Sequence, residues 1–154
     1  MKTNATDTIH VLNDLIETCE DGEHGFRLAA EDAKDNELRS LLQRYSEQRA
    51  GFVRELRSLV QQLGGKADDH GSVTGKMHRG WINLKAAISS NEPHAVLSEC
   101  ERGEDAAVAA YREALEKIDD VRAREVVLRQ SALVQSAHDT VRDLRDNPMY
   151  KKTR

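Results

Sequence analysis

Along most of this chain the apolar residues recur at alternating intervals of three and four, the spacing of a helix face turned towards a core. From about Thr6 to Ala33 the stripe reads Leu12, Leu15, Cys19, Gly22, Phe26, Ala29 and Ala33. Lys34-Asp35-Asn36 makes a short turn, and Leu38, Leu42, Tyr45, Phe52, Leu56, Leu59 and Leu63 predict a second helix from Glu37 to Leu63. Gly64-Gly65 supplies the left-handed residue that ends it. Two long helices joined by so short a turn form an antiparallel hairpin.

A polar stretch from Lys66 to Ser72 leads into a shorter predicted helix, Val73 to Ser90, with Met77, Trp81, Leu84 and Ile88 on one face. Pro93 suits the first turn of the next helix, which runs to about Ile118 with Leu97, Cys100, Ala107, Tyr111, Ala114 and Ile118 inward. A last helix spans roughly Val121 to Arg145 and is stopped by Asn147-Pro148, leaving Met149 to Arg154 as a basic tail expected to be loosely held. A helix of about 18 residues is about 27 Å long, nearly the length of the bundle, and so returns the chain to the end where the second hairpin starts. Hairpin, crossover, hairpin is the connectivity of ferritin-like four-helix bundles. The expected fold is therefore all-α, one domain over residues 1–148, with a plain up-and-down bundle of five helices as its competitor.

Composition agrees, since two prolines and nine glycines among 154 residues leave little to interrupt helix. Lys and Arg at 23 nearly balance Asp and Glu at 27, and a net charge of −4 offers no basic field for phosphate backbones, so no nucleic-acid partner is expected. The chain starts without an apolar leader and holds no apolar run near the roughly 20 residues of a bilayer span, which argues against a membrane and for the cytoplasm. Cys19 and Cys100 lie on apolar stripes at different depths and read as small buried hydrophobes, paired redox thiols being the rarer use; no disulfide between them is expected. A Gly-rich phosphate loop, a nucleophile motif and a zinc-type cysteine pair are all missing, which excludes the conventional hydrolase, kinase and zinc-enzyme readings.

The pattern Cys-Glu-x-Gly-Glu occurs twice, at Cys19 to Glu23 and at Cys100 to Glu104, as duplication of a hairpin would leave it. Glu104 falls on the core stripe itself and Glu23 and Glu101 on its flanks, positions that an ionised group occupies only when it is paired or bound. Depth suggests the partners. Glu23 lies about 12 residues before the first turn, and Glu47, Gln48 and Arg49 about 12 after it, so they share a level roughly 18 Å from that end. Glu104 reaches the same level if the crossover works as expected, and the last helix adds Gln135 and His138. One layer of Glu23, Glu104, Arg49 and His138 is the expectation, with His10, His24, His70, His78 and His94 at the surface.

Two chemistries suit such a layer. An iron or manganese pair in a bundle takes a lone Glu from each of two helices and a Glu-x-x-His pair from each of the other two. Glu20 or Glu23 and Glu101 or Glu104 could be the lone carboxylates. Glu47-x-x-Ala50 lacks the imidazole, however, and Gln135-x-x-His138 lacks the carboxylate. In the other chemistry Arg49 neutralises the carboxylates bidentately and no metal is needed, and this is the preferred reading. If the protein is an enzyme at all, it is a ferritin-like di-metal oxidoreductase. Otherwise it is a structural or interaction protein, stress protection being one such role. Trp81, Ile82 and Met77 on the crossover either cover the bundle, the commoner use, or form a homodimer surface.

Asp21-Gly22-Glu23, His78-Arg79-Gly80-Trp81 and Glu99 to Ala107 together resemble a bacterial family of ferritin-like four-helix-bundle proteins known as a domain of unknown function. The resemblance covers nearly the whole chain. It implies the fold and a bacterial cytoplasmic origin, and it brings no established activity with it.

Overall fold

A computed structural model describes residues 5–67 and 80–150. Helices α1 (Ala5–Asp32), α2 (Asn36–Gln62), α3 (Leu84–Ser89), α4 (Pro93–Lys117) and α5 (Val121–Asp146) follow in order, with no strand among the described residues. Local chemistry sets the ends. The Asp35 carboxylate accepts from the Glu37 amide at 3.0 Å, and Asp120 accepts from Ala123 at 2.8 Å. Gly64, at φ +83, closes α2 as the left-handed residue, with the Gly65 amide donating back to the Val60 carbonyl at 2.9 Å.

The long helices form a four-membered bundle in which α1 packs on α2 and α4, and α5 packs on α4 and α2. Arg49 of α2 lies against Gly22 and the Ser46 hydroxyl reaches the Glu23 carbonyl, so α1 and α2 are antiparallel. Cys19 meets Tyr111, while Gly25 and Gly103 face one ring, so α1 and α4 are also antiparallel. It follows that α2 and α4 run parallel, as a crossover requires.

The crossover departs from the helix expected over residues 73–90. Among the described residues of that span Leu84–Ser89 is helical and residues 80–83 lie outside any helix; residues 73–79, Met77 and His78 among them, fall outside the described part. A six-residue helix is about 9 Å long and cannot be a fifth member of the bundle. The physical reason lies at Gly80, whose φ is +94 and whose added Cβ would stand 2.5 Å from the Arg102 carbonyl oxygen. That close approach to α4 turns Trp81 inward. The indole, 2% exposed, fills a slot between Gly25 and Gly103 and meets the Phe26 ring edge-on at 5.0 Å. Trp81 thus covers the bundle, and Ile82 beside it is left exposed.

Apolar side chains gather in two clusters. One surrounds Leu12, Leu15, Leu56, Tyr111 and Val127, and the other surrounds Phe26, Leu42, Trp81, Leu97 and Val141. The chain end is partly tied down: Tyr150 is buried and its hydroxyl donates to the Asp35 carboxylate, so a boundary at Pro148 would cut through a packed contact.

Candidate functional site

Between the two clusters lies a charged pair. Arg49 stands on the inner face of α2, one turn before Phe52 and Val53, and Glu104 on that of α4, one turn before Ala107. Arg49 Nη1 donates to Glu104 Oε1 at 2.6 Å and Nη2 to Oε2 at 2.5 Å, a fork-on-fork geometry in which the side chains are 1% and 0% exposed. Gly22 leaves room for the guanidinium, since a Cβ there would stand 3.1 Å from Nη1. The Arg49 Nε donates to Gln48 at 3.3 Å, and Phe26 presents its ring 5.3 Å from the guanidinium carbon. Burial works against the charged guanidinium, but the Glu104 carboxylate outweighs it and holds the Arg49 pKa above its ordinary range.

Next to the pair runs a hydrogen-bonded chain that crosses the bundle. Tyr111 donates to Gln130 Oε1 at 2.7 Å, so the Cys19 thiol, 3.1 Å from the Tyr111 oxygen, is the donor in that contact. Gln130 Nε2 continues to Glu55 at 2.9 Å, and Glu55 is held by Arg129 at 2.5 Å. Burial pushes the Cys19 thiol from 9.0 up to about 11, and burial likewise lifts Cys100. Both cysteines are free thiols. They are expected to resist alkylation at pH 8 while the protein is folded and to react only as it unfolds; rapid labelling of either in native buffer would show an interior more open than this one. An unfolded thiol ionises near 9 and a folded one later. The stability that Cys19 contributes is therefore whole below pH 9 and is lost as pH rises towards 11.

A third group sits on the outer side of the α4–α5 seam. His138 Nε2 lies 2.6 Å from Asp105 Oδ1 and 3.7 Å from Glu101 Oε2, and its Nδ1 lies 3.1 Å from Asp139. Burial alone would lower the imidazole pKa, but the Asp139 and Asp105 carboxylates outweigh it and raise it. Arg145 binds the other oxygen of Glu101.

The expected single layer is thus divided. Arg49, Gln48 and Glu104 meet at the centre. Glu23 does not join them: it pairs along its own helix with Arg27 at 3.1 Å, its side chain 34% exposed. Glu20 pairs with Arg57 at 2.8 Å on the α1–α2 flank, and Glu47 faces solvent. Glu101 and His138 meet each other, but at the seam, and Gln135 is exposed and donates to Asp139 at 3.0 Å. Glu23 and Glu101 keep to the flanks that the apolar stripes assign them, neighbouring helix positions differing by about 100° of rotation. His10 is exposed and His24 and His94 are half-buried, while His70 lies outside the described residues. Gln130 and Asp105 escaped the sequence reading. The signal for Gln130 is a polar residue within the stripe Ala123, Val127, Val134, Ala137; for Asp105 it is a carboxylate four residues after Glu101. The echoed glycines also do different work, Gly22 making room for Arg49 and Gly103 for Trp81.

Two metal ions in a bundle centre need carboxylates and imidazoles converging from all four helices. Of the carboxylates foreseen for the layer, Glu104 reaches that centre, and both its oxygens are engaged by a guanidinium. The side chains present do not fit such a pair.

A family model described as a domain of unknown function, DUF2383, matches residues 7–117. No curated protein gives a significant match. Among solved structures, a mutant of Dps1 from Mycobacterium smegmatis superposes with a TM-score of 0.73 at 13% identity, covering 92% of this chain and 96% of that one. A likeness at that identity speaks for a shared ferritin-like fold.

Proposed function

We propose that this protein, which belongs to the DUF2383 family, is a ferritin-like bundle that works without a metal centre in its interior, as a structural or interaction protein. The observation that carries the reading is the closed pair: both Glu104 oxygens are engaged by Arg49 with neither side chain in contact with water. A guanidinium at that point repels a cation and satisfies the carboxylate that would have to bind it. Two apolar clusters on either side supply continuous burial, so folding needs no ion to organise it. In its finer form the reading places the protein in a bacterial cytoplasm as a homodimer. The family resemblance supports the first part. Ile82, 71% exposed beside the buried Trp81, supports the second.

The test is removal of metal. Protein stripped with a chelator should keep its helix content, its cooperative unfolding and its sedimentation as a dimer. Loss of the folded state on stripping, restored by iron or manganese, would overturn the reading. A monomer under both conditions would remove the dimer alone.

A further inference from the structure

The geometry points to a peripheral site for a divalent first-row transition-metal ion at the α4–α5 seam, formed by Glu101, Asp105 and His138. It lies apart from the interior pair and is independent of the reading above. Glu101 and Asp105 stand one turn apart on α4, on the same face, opposite His138 of α5. One donor atom from each, Glu101 Oε2, Asp105 Oδ1 and His138 Nε2, falls within 4.8 Å of the others. Ligands held at about 2.1 Å around a tetrahedral ion stand about 3.4 Å apart. The observed separations from Nε2, 2.6 and 3.7 Å, lie on either side of that value, so small side-chain rotations would admit an ion.

What surrounds the three donors favours binding. The other ring nitrogen of His138 is engaged by Asp139, which is itself fixed by Gln135 at 3.0 Å. A carboxylate on Nδ1 holds the proton there and turns the Nε2 lone pair to the ion, the outer-shell arrangement usual for metal-binding histidines. Arg145, unlike the enclosed Arg49, is 28% exposed and takes only Oε1 of Glu101, so solvent screens its charge and Oε2 is left turned to His138. Side chains of Glu101 and His138 are each 13% exposed while Asp105 is 64% exposed, which leaves a way in for the ion and open positions for water. Entry of the ion releases the Nε2 proton to solvent. One imidazole with two carboxylates is a mixed nitrogen and oxygen set, suited to zinc, manganese or ferrous iron more than to calcium.

Calorimetric titration of the chelator-stripped full chain with zinc, and separately with manganese, tests the site. The expected result is one ion per chain. His138→Ala should weaken binding by about 100-fold or abolish it, and Asp139→Ala, which removes the acceptor on Nδ1, should weaken it by about 10-fold. Asp143→Asn, on the same helix but outside the group, should leave it unchanged. Asp105→Asn serves as a second ligand variant at an exposed position, should His138→Ala disturb the fold by circular dichroism. Absence of binding by the wild-type chain, or binding equally strong in both ligand variants, would overturn the proposal.

Discussion

Replacing Glu104 by Gln is expected to destabilise the protein by about 3–5 kcal/mol, because it leaves the Arg49 charge enclosed without a counter-charge. Neither partner can turn to water for compensation, since both are at most 1% exposed. The double variant Arg49→Met with Glu104→Leu removes both charges while retaining much of their volume. It should recover most of that loss, and similar replacements elsewhere have equalled or exceeded the parent in stability. Denaturant unfolding of the parent, both single variants and the double variant gives the coupling between the two sites. A cost for Glu104→Gln below about 1 kcal/mol would mean that water or another anion reaches Arg49, and the interior would not be closed.

The second large effect is centred on Trp81. Truncation to Ala removes an indole that is 2% exposed and should cost about 3–5 kcal/mol. The slot is shaped by what its walls lack. An added Cβ at Gly25 would stand 2.2 Å from the ring and one at Gly103 2.1 Å, distances that atoms do not tolerate, so even Ala at either position must displace the indole. Gly103→Leu is expected to overpack by about 1–3 kcal/mol or more. Because Trp81 is the only tryptophan, its fluorescence reads the displacement directly as a shift to longer wavelength. Unaltered emission together with unaltered stability in Gly25→Ala and Gly103→Ala would show that the indole does not occupy this slot.

The four long helices were legible because each carries a stripe long enough to define a period and ends at a residue with a local reason to end it. The expected Glu37 to Leu63 became Asn36–Gln62, and the expected Val121 to Arg145 became Val121–Asp146. A short crossover helix was legible, but its bounds were not. Trp81, Leu84 and Ile88 are spaced as on a helix, but Trp81 is drawn into a slot built by two other helices, a tertiary effect that a local period does not record. The same distinction runs through the site. Glu104 and Arg49 could be placed because both interrupt apolar stripes at matching depth. Glu23 and His138 matched in depth as well, yet each sits one position beyond a stripe residue, Gly22 and Ala137, and that one step turns the side chain to the flank.

The claim that the interior holds an ion pair in place of a metal is tested most directly in His138→Ala, which silences the peripheral group and leaves the centre untouched. Thermal unfolding of this variant should be followed as iron(II) or manganese(II) is added to stripped protein. An unfolding temperature indifferent to either ion and no stoichiometric metal after gel filtration are expected. A concentration-dependent rise with one or two ions retained per chain, strengthened when Arg49 is replaced by Met, would contradict it and place a metal site at Glu104.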